Sequence, residues 1–325
     1  MTYKICFLIP YFGKLPNYTK LFLKSCDYNP TYDFIFFSDL SFPEPIPPNV
    51  IIFKISLQDF SNLILNNTGL QPTINFGWKI CDFRPAYGVI LQEYIQGYNF
   101  WGIIDTDIIL GKIDDYITDK MLTKYDVISA SKFWLSGSFA IFRNTEQVNN
   151  LFKLSKDWNK VFAESRHYAF DECGRLIHKK GELVYKLLEA GTPLSEIQTD
   201  IESFTHILKN ESKLMNLNVL FSNMNCEKLD NDTILEFNQG NLLLLKGKLE
   251  QKILYYHFVN DKNHLTFHIP RWKTIPDEYF ITNYAFFKKK HNKYKVIIYI
   301  WSLYKGIIKL VFSKLPQKVI KKIFN

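Results

Sequence analysis

Residues 100–107, Phe-Trp-Gly-Ile-Ile-Asp-Thr-Asp, decide the fold, because they predict a buried strand that ends in two carboxylates. The apolar run 100–104 lies between turn residues, which is typical of a strand buried on both faces of a parallel sheet. Asp105 and Asp107 follow at positions i and i+2 and can point into one crevice as hard oxygen ligands. Such ligands suit Mg²⁺ or Mn²⁺, with phosphate oxygens completing the shell. The alternative is that one of the two residues only caps a turn.

Strands and helices alternate along the chain before this segment. The expected elements are strands Ile5–Ile9, Asp33–Phe37 and Val50–Ile55 and helices Tyr18–Asp27, Leu57–Asn66 and Trp78–Gly97. The alternation predicts an α/β fold, with a Rossmann-like mixed sheet flanked by helices. Ligands of such sheets bind outside the carboxyl ends of the strands. We therefore expect Tyr11, Asp39 and the two aspartates at one edge of the sheet.

The composition is that of a globular protein with an anionic partner. Of 325 residues, 47% are hydrophobic and 22% are charged, which excludes a disordered or fibrous chain. A net charge of +8 favours a partner that carries phosphate or another anionic group. The 5 cysteines form no C-x-x-C pair, which indicates reduced thiols rather than a disulfide framework. Because the N-terminus has no signal-peptide pattern, we expect a cytoplasmic protein.

The last part of the sequence is basic and amphipathic. On a helix, its lysines fall on one stripe, and apolar side chains such as Trp301 fall roughly opposite. We expect residues 276–325 to form a helical tail on the anionic inner face of the plasma membrane, after a catalytic domain at residues 1–275. In the alternative, the tail packs its apolar side on that domain.

The stretch from Asp82 to Asp107, with its W-G-x-x-D-x-D segment, resembles the core of metal-dependent glycosyltransferases of the GT-A fold. It is similar in particular to a bacterial family of surface polysaccharide (capsule or O-antigen) synthesis. The resemblance implies a GT-A-type sheet in which Asp105 and Asp107 bind Mn²⁺ or Mg²⁺ and the donor's diphosphate, with Asp107 the more direct ligand. It also implies that His257 completes the metal shell and that Lys262 contacts the diphosphate. An ordinary half-buried histidine is the alternative for His257, and the nearby His264 and His268 leave the assignment of the ligand open.

A larger set of residues is expected to bind the donor. The set comprises Tyr11, Asp39, Lys79, Asp82, Arg84, Asp105, Ser136, Gly137 and Lys262. Arg84 offers a planar fork of hydrogen-bond donors that matches a phosphate, although an Asp82–Arg84 surface pair is the alternative. Around Gly137, only a backbone without bulky side chains lets a sugar ring lie against it, although residues 136–138 also fit an ordinary turn.

Asp171 and Glu172 are the candidates for the catalytic base. Inverting transfer of a sugar needs one carboxylate that accepts the proton of the acceptor hydroxyl. Glycosyltransferases often place such an acid after the small-residue strand, where these two residues stand. Helix capping by Asp171 is the alternative, and the sequence does not choose between the two carboxylates.

The function that fits best is the transfer of a sugar from a nucleotide-diphosphate sugar to a glycan or lipid-linked acceptor. A nucleotidyltransferase uses a similar sheet and carboxylate pair, but its first loop is normally rich in glycine, unlike residues 10–16 here. A protein that only docks on a membrane or binds nucleic acid is disfavoured, because most of the excess charge lies after Lys288 and no recognised nucleic-acid module occurs. We therefore expect no nucleic acid among the partners.

Overall fold

The computed structural model describes residues 2–175, 182–264 and 267–288 together with residues 304, 307 and 308. The chain forms two compact units. The first unit comprises Met1–Pro16, Asn29–Thr106 and Asp114–Met224, and the second comprises Asn17–Tyr28, Asp107–Ile113 and Asn225–Asn325. Most of the predicted helical tail lies outside the described residues, but its described first part forms strands at Glu278–Ile281 and Phe286–Phe287 rather than a helix. The boundary at residue 276 stays a prediction. Among the described residues, none of the helices has the length and apolar composition that a transmembrane span requires.

The bounds of the elements are as follows. The strands are β1 (Ile5–Pro10), β2 (Tyr32–Phe37), β3 (Val50–Phe53), β4 (Phe100–Ile104), β5 (Ile108–Leu110), β6 (Val127–Ser129), β7 (Phe139–Arg143), β8 (Val219–Phe221), β9 (Asn225–Cys226), β10 (Thr233–Asn238), β11 (Asn241–Lys246), β12 (Leu249–Lys252), β13 (Tyr255–His257), β14 (Glu278–Ile281) and β15 (Phe286–Phe287). The α-helices are α1 (Thr19–Asp27), α2 (Leu57–Thr68), α3 (Tyr87–Ile90), α4 (Asp119–Lys124), α5 (Glu146–Asn149), α6 (Trp158–Ala163), α7 (Glu182–Glu189) and α8 (Phe204–Leu214). Short 3₁₀ helices lie at Gly77–Ala86, Gln92–Tyr94, Ile113–Asp115, Leu151–Leu154, Leu194–Glu196 and Asp261–Asn263.

The first unit is built on a mixed sheet. Its strand order, within the described residues, is β3-β2-β1-β4-β7-β6-β8. Strands β3, β2, β1 and β4 are parallel, whereas β7 is antiparallel to both β4 and β6. The predicted α/β fold with a mixed sheet flanked by helices is therefore confirmed. The predicted strands are found as well, although β3 ends at Phe53 rather than at Ile55.

Close packing explains a glycine in the middle of β4. All five residues of this strand are buried. A Cβ atom at Gly102 would lie 2.7 Å from the ring of Phe7 and 2.8 Å from the carbonyl oxygen of Ala140. The neighbouring Trp101 ring stacks on Phe142 of β7, with ring centroids 4.3 Å apart. The strand that carries Asp105 at its end is thus held on both sides by tightly packed neighbours.

Helix α2 shows how the sequence sets the ends of an element. Ser56 caps its N-terminus by accepting a hydrogen bond from the backbone of Asp59, and the Asp59 carboxylate accepts one from the Ser56 backbone in return. At the other end Gly69 has a φ of 77°, a left-handed conformation that glycine adopts without steric cost. The predicted helix is confirmed and extends to Thr68.

The predicted helical segment Trp78–Gly97 is helical as far as Tyr94, but as several short helices rather than one regular α-helix. The segment begins with a 3₁₀ helix at Gly77–Ala86, which we call the 77–86 helix, followed by the four residues of α3 and another short 3₁₀ helix. Pro85 has no backbone N–H group and so cannot take part in a regular α-helical ladder. In a 3₁₀ helix residues three apart share a face, and this face is visible in the burial pattern. Side chains at 78, 81 and 84 are exposed or half-buried, whereas those at 79, 80, 82, 83, 85 and 86 are buried.

The second unit contains two small sheets. Within the described residues, one has the antiparallel order β12-β11-β10-β14-β15 and the other the order β5-β13-β9. In the smaller sheet β5 and β13 are antiparallel, with Ile108 opposite His257. The backbone N–H of Phe258 donates to the carbonyl oxygen of Asp107 at 3.2 Å. This register sets His257 beside the residue that precedes β5.

Candidate functional site

The carboxyl ends of three parallel strands bring predicted site residues to one edge of the first unit. Strands β2, β1 and β4 are neighbours in the sheet, and they are followed by Asp39, Tyr11 and Asp105 respectively. The backbone N–H of Tyr11 donates to the carbonyl oxygen of Phe37 at 3.0 Å, which ties the first two strand ends together. Asp39 is exposed and Tyr11 is half-buried. The expected shared edge is confirmed for these three residues.

Arg84 is the centre of the polar cluster in the first unit. Its guanidinium donates to the carboxylate of Asp105, to Oδ2 of Asp171 at 3.1 Å and to the carbonyl oxygen of Gly137 at 3.0 Å. The Arg84 side chain is 14% exposed, and that of Asp105 is 25% exposed. Burial would lower the pKa of Arg84, but the charges of Asp105 and Asp171 outweigh this effect and raise it. Arg84 thus pairs with Asp105 and Asp171, and the alternative pairing with Asp82 is absent from the contacts described.

Gly137 is required by the closeness of this cluster. A Cβ atom there would lie 2.8 Å from Nη1 of Arg84 and 2.9 Å from Oδ2 of Asp171. The backbone N–H of Gly137 donates to Oε1 of Glu172 at 3.3 Å. The hydroxyl of Ser136 is buried and lies 2.9 Å from that of Ser138, so the serines stabilise the turn internally. The small-residue turn therefore presents bare backbone to the charged side chains.

Asp171 and Glu172 are neighbouring acids, of which Asp171 is buried and Glu172 is half-buried. Burial raises the pKa of Asp171 well above its ordinary value, with Arg84 opposing the shift and Glu172 adding to it. Burial also raises the pKa of Glu172, although hydrogen bonds from Tyr185 and the Gly137 backbone work against it. The Asp171 carboxylate accepts a hydrogen bond from the guanidinium of Arg84. The capping alternative is thus not what the geometry supports.

Lys79 and Asp82 lie on the buried side of the 77–86 helix, with no exposed side-chain surface. Lys79 Nζ donates to Asp82 at 3.0 Å, to the carbonyl oxygen of Val161 and to that of Arg166 at 2.9 Å. The Asp82 carboxylate accepts hydrogen bonds from the backbone N–H groups of residues 168 and 170, and the shortest N···O distance is 3.0 Å in each case. Both residues were predicted to bind the donor. In the structure they instead bind backbone groups of the loop that leads to Asp171 and hold that loop in position.

The second unit carries a polar cluster around Asp107. Its Oδ1 lies 3.5 Å from Nε2 of His257, and its Oδ2 accepts a hydrogen bond from Lys262. Burial would raise the pKa of Asp107, but the hydrogen bonds and charges of His257 and Lys262 outweigh it and lower the pKa. A carboxylate and an imidazole at this spacing are a donor set that Mn²⁺ accepts. The three predicted residues Asp107, His257 and Lys262 are thus brought together.

Two side chains of these clusters were missed by the sequence analysis. Tyr185 of α7 donates its hydroxyl hydrogen to Glu172, and Glu227 Oε1 lies 3.9 Å from Nδ1 of His257. Tyr185 sits within an amphipathic helical pattern, and Glu227 follows the two-residue strand β9. Neither position carries a local motif, so only the tertiary fold reveals them.

Comparison with known proteins assigns the chain to a family and finds distant structural likenesses. The sequence matches the family of unknown function DUF6625 over residues 7–290, and the chain belongs to that family. The galactosyltransferase LgtC, solved with donor and acceptor sugar analogs, is similar at 11% identity and a TM-score of 0.32, over 52% of this chain and 71% of LgtC. The apo form of the glycosyltransferase GlyE of Streptococcus pneumoniae is similar at 11% identity and a TM-score of 0.28, over 68% of this chain and only 45% of GlyE. No curated protein matches the sequence.

Proposed function

We propose that the chain is a glycosyltransferase that moves a sugar from a nucleotide-diphosphate sugar to a glycan or lipid-linked acceptor. One observation carries the proposal: Arg84 joins Asp105 and Asp171 beside the bare backbone of Gly137 at the carboxyl edge of a mixed sheet. This edge is where α/β sheets bind ligands. An arginine fork, buried acids and an open glycine backbone are the groups needed to hold a phosphorylated sugar and deprotonate an acceptor.

The buried acids supply the base. A general base works best when its pKa lies near the working pH, and burial moves the pKa of Asp171 and Glu172 upward from the ordinary carboxyl range. In the proposed reaction one of them accepts the proton of the acceptor hydroxyl as that oxygen attacks the sugar. Arg84 keeps the Asp171 carboxylate oriented, and Tyr185 does the same for Glu172. Tyr11 and Asp39 are the proposed contacts of the nucleoside, because they follow the neighbouring strands.

The proposed metal ligands are Asp107 and His257, with Asp105 as the third because it precedes Asp107 by two residues in the chain. The oxygen and nitrogen donors of the first two suit Mn²⁺, with Mg²⁺ the alternative. When bound, such an ion neutralises a diphosphate and stabilises it as a leaving group. Lys262, already on Asp107, is a cation that can turn to a phosphate oxygen.

The finer biological setting is proposed from the sequence alone. The lysine-rich segment after Lys288 is suited to an anionic membrane surface, which favours a peripheral enzyme at the inner face of the plasma membrane. The similarity of residues 82–107 to surface polysaccharide enzymes favours a role in capsule or O-antigen synthesis. A lipid-linked acceptor would account for both the membrane location and the role in polysaccharide synthesis.

The test is a panel of nucleotide sugars with Mn²⁺, followed by thermal stabilisation and by donor hydrolysis. We expect at least one UDP or GDP sugar to raise the melting temperature in a metal-dependent way. Asp107→Ala should abolish this stabilisation and slow hydrolysis by roughly 100-fold or more, since several kcal/mol of charge stabilisation are lost. Asp230→Ala, which removes an exposed carboxylate paired with Lys246, is the matched control and should behave as the native chain.

The products separate the alternatives. Release of a nucleoside diphosphate supports glycosyl transfer, whereas release of pyrophosphate from nucleoside triphosphates identifies a nucleotidyltransferase. A folded chain that neither binds nor hydrolyses any donor of the panel contradicts the proposed function and favours a binding protein.

A further inference from the structure

Trp78 is an unusually exposed aromatic residue of the first unit. Its side chain is 73% exposed, and Phe76 two residues earlier is 47% exposed. By contrast, Trp101 and Trp134 are buried, and Trp101 donates a hydrogen bond to Asn149. A large apolar ring held in water costs solvation free energy, and contiguous exposed apolar surface commonly marks a binding site.

The 77–86 helix sets Trp78 in line with Arg84. The two residues are six apart, which is two turns of a 3₁₀ helix, so they share the face that is not buried. At roughly 2 Å of rise per residue, they are separated by about 12 Å along the helix axis. This separation suits a chain of sugar rings better than a single ring. The opposite face is fixed by the buried Lys79–Asp82 pair, which makes the helix a rigid support for the exposed ring.

The surroundings of Trp78 favour a carbohydrate. Residues 61–78 contain no charged side chain, and the exposed positions among residues 71–75 are Gln71, Thr73 and Asn75. Amide and hydroxyl groups beside an aromatic ring can bind sugar hydroxyls while the ring covers the apolar face of the sugar. An anionic membrane surface would instead call for lysine or arginine next to the exposed rings.

We propose that Trp78, with Phe76 beside it, binds the acceptor glycan, stacking on one of its sugar rings while the end to be extended lies at Arg84. The inference rests on the proposed function for its direction, because it takes Arg84 as the place of reaction. As a binding site, however, it can be tested without any donor or turnover.

The test uses the intact, fluorescently labelled chain on an array of immobilised short oligosaccharides. Affinities for the glycans that bind are then measured for the native chain, Trp78→Ala and Trp78→Phe. We expect roughly tenfold weaker binding for Trp78→Ala, the effect of losing one stacked ring, and most of the affinity retained by Trp78→Phe. Leu249→Ala is the matched control, since Leu249 is another exposed apolar side chain, at 56%, on the edge strand β12. It should bind as the native chain does.

Several outcomes overturn the inference. One is equal glycan binding by the native chain and Trp78→Ala, and another is no glycan binding by the native chain. A third is that Trp78→Ala binds glycans normally but loses binding to vesicles of phosphatidylglycerol and phosphatidylcholine, measured in parallel. The two proposals fail separately. A Trp78-dependent glycan interaction in a chain that hydrolyses no donor leaves this site standing and removes the transferase function. Donor hydrolysis together with Trp78-independent glycan binding removes only the present inference.

Discussion

The two faces of the 77–86 helix show how the same kinds of residue take different roles. On the buried face, Lys79 and Asp82 form an ion pair with no exposed side-chain surface. On the other face, the Trp78 side chain is exposed to water, and Arg84 binds Asp105 and Asp171 with part of its side chain accessible. Accessibility, rather than residue type, therefore separates the residues that stabilise the fold from those that can bind a ligand.

The two faces of the 77–86 helix also differ in the hydrogen-bond partners of their charged residues. Lys79 donates to two backbone carbonyl groups besides Asp82, and Asp82 accepts two backbone N–H groups, so the pair is fixed by main chain that no ligand displaces. Arg84 has two carboxylate partners, and a phosphate could replace either one in its fork of donors. The comparison predicts that damage to the buried face lowers stability and that damage to the exposed face mainly lowers activity.

The largest effect is expected for Asp82→Asn. Removing one charge of a fully buried pair leaves Lys79 without its counter-ion, at a cost of about 3–5 kcal/mol in the free energy of unfolding. Urea denaturation followed by circular dichroism measures the change. The control is Asp230→Asn, whose carboxylate is 63% exposed and should leave stability unchanged. Equal stabilities of Asp82→Asn and the native chain would show that the buried face is not the structural one.

A smaller effect is expected for Gly137→Ala, beside Arg84. The added methyl group would press on Arg84 and Asp171, which costs about 1–3 kcal/mol of stability and displaces the groups proposed for catalysis. Donor hydrolysis should therefore fall further than stability alone explains. Gly77→Ala is the matched control, because nothing lies within 4 Å of its added Cβ atom. If both variants hydrolyse donor at the native rate, the cluster around Arg84 is not the reaction site.

Local sequence patterns predicted the sheet well, because each strand is marked by residues next to one another in the chain. The apolar run before Asp105 identified β4, and the order of strands and helices identified the parallel edge. Helical structure was predicted from Trp78 onward, but the 3₁₀ type of the 77–86 helix was not, since periods of 3.0 and 3.6 residues are hard to tell apart over ten residues. In the 3₁₀ helix, Lys79 lies on the buried face and Arg84 on the other face. Without that period, the sequence analysis assigned both residues to donor binding.

Long-range contacts set the limit for the candidate site. His257 and Lys262 were placed with Asp107 through resemblance to a family, and the pairing of β5 with β13 brings them together. Tyr185 and Glu227 had no such guide, and their contacts exist only because distant segments pack together. A sequence pattern reports which residues can do chemistry, whereas the tertiary fold decides which of them meet.

The smallest effect is a difference in the pH dependence of stability. Asp82 has a pKa that burial would raise but that His167 and Lys79 lower, so its contribution is present above the unfolded pKa of about 4 and is lost as pH falls. Asp171 behaves oppositely, because burial raises its pKa against the pull of Arg84 and with the push of Glu172. Above about pH 4 the unfolded chain releases this proton while the folded chain keeps it, so stability decreases as pH rises.

Asp171→Asn removes only the second of these contributions. Its stability relative to the native chain should therefore increase as the pH rises from about 4, with Asp82 acting equally in both proteins. Melting temperatures of the two chains across this range measure the difference. If the stability difference between Asp171→Asn and the native chain stays constant with pH, Asp171 is ionised like an ordinary surface carboxylate. Its pKa would then be no higher than that of the acids in exposed ion pairs.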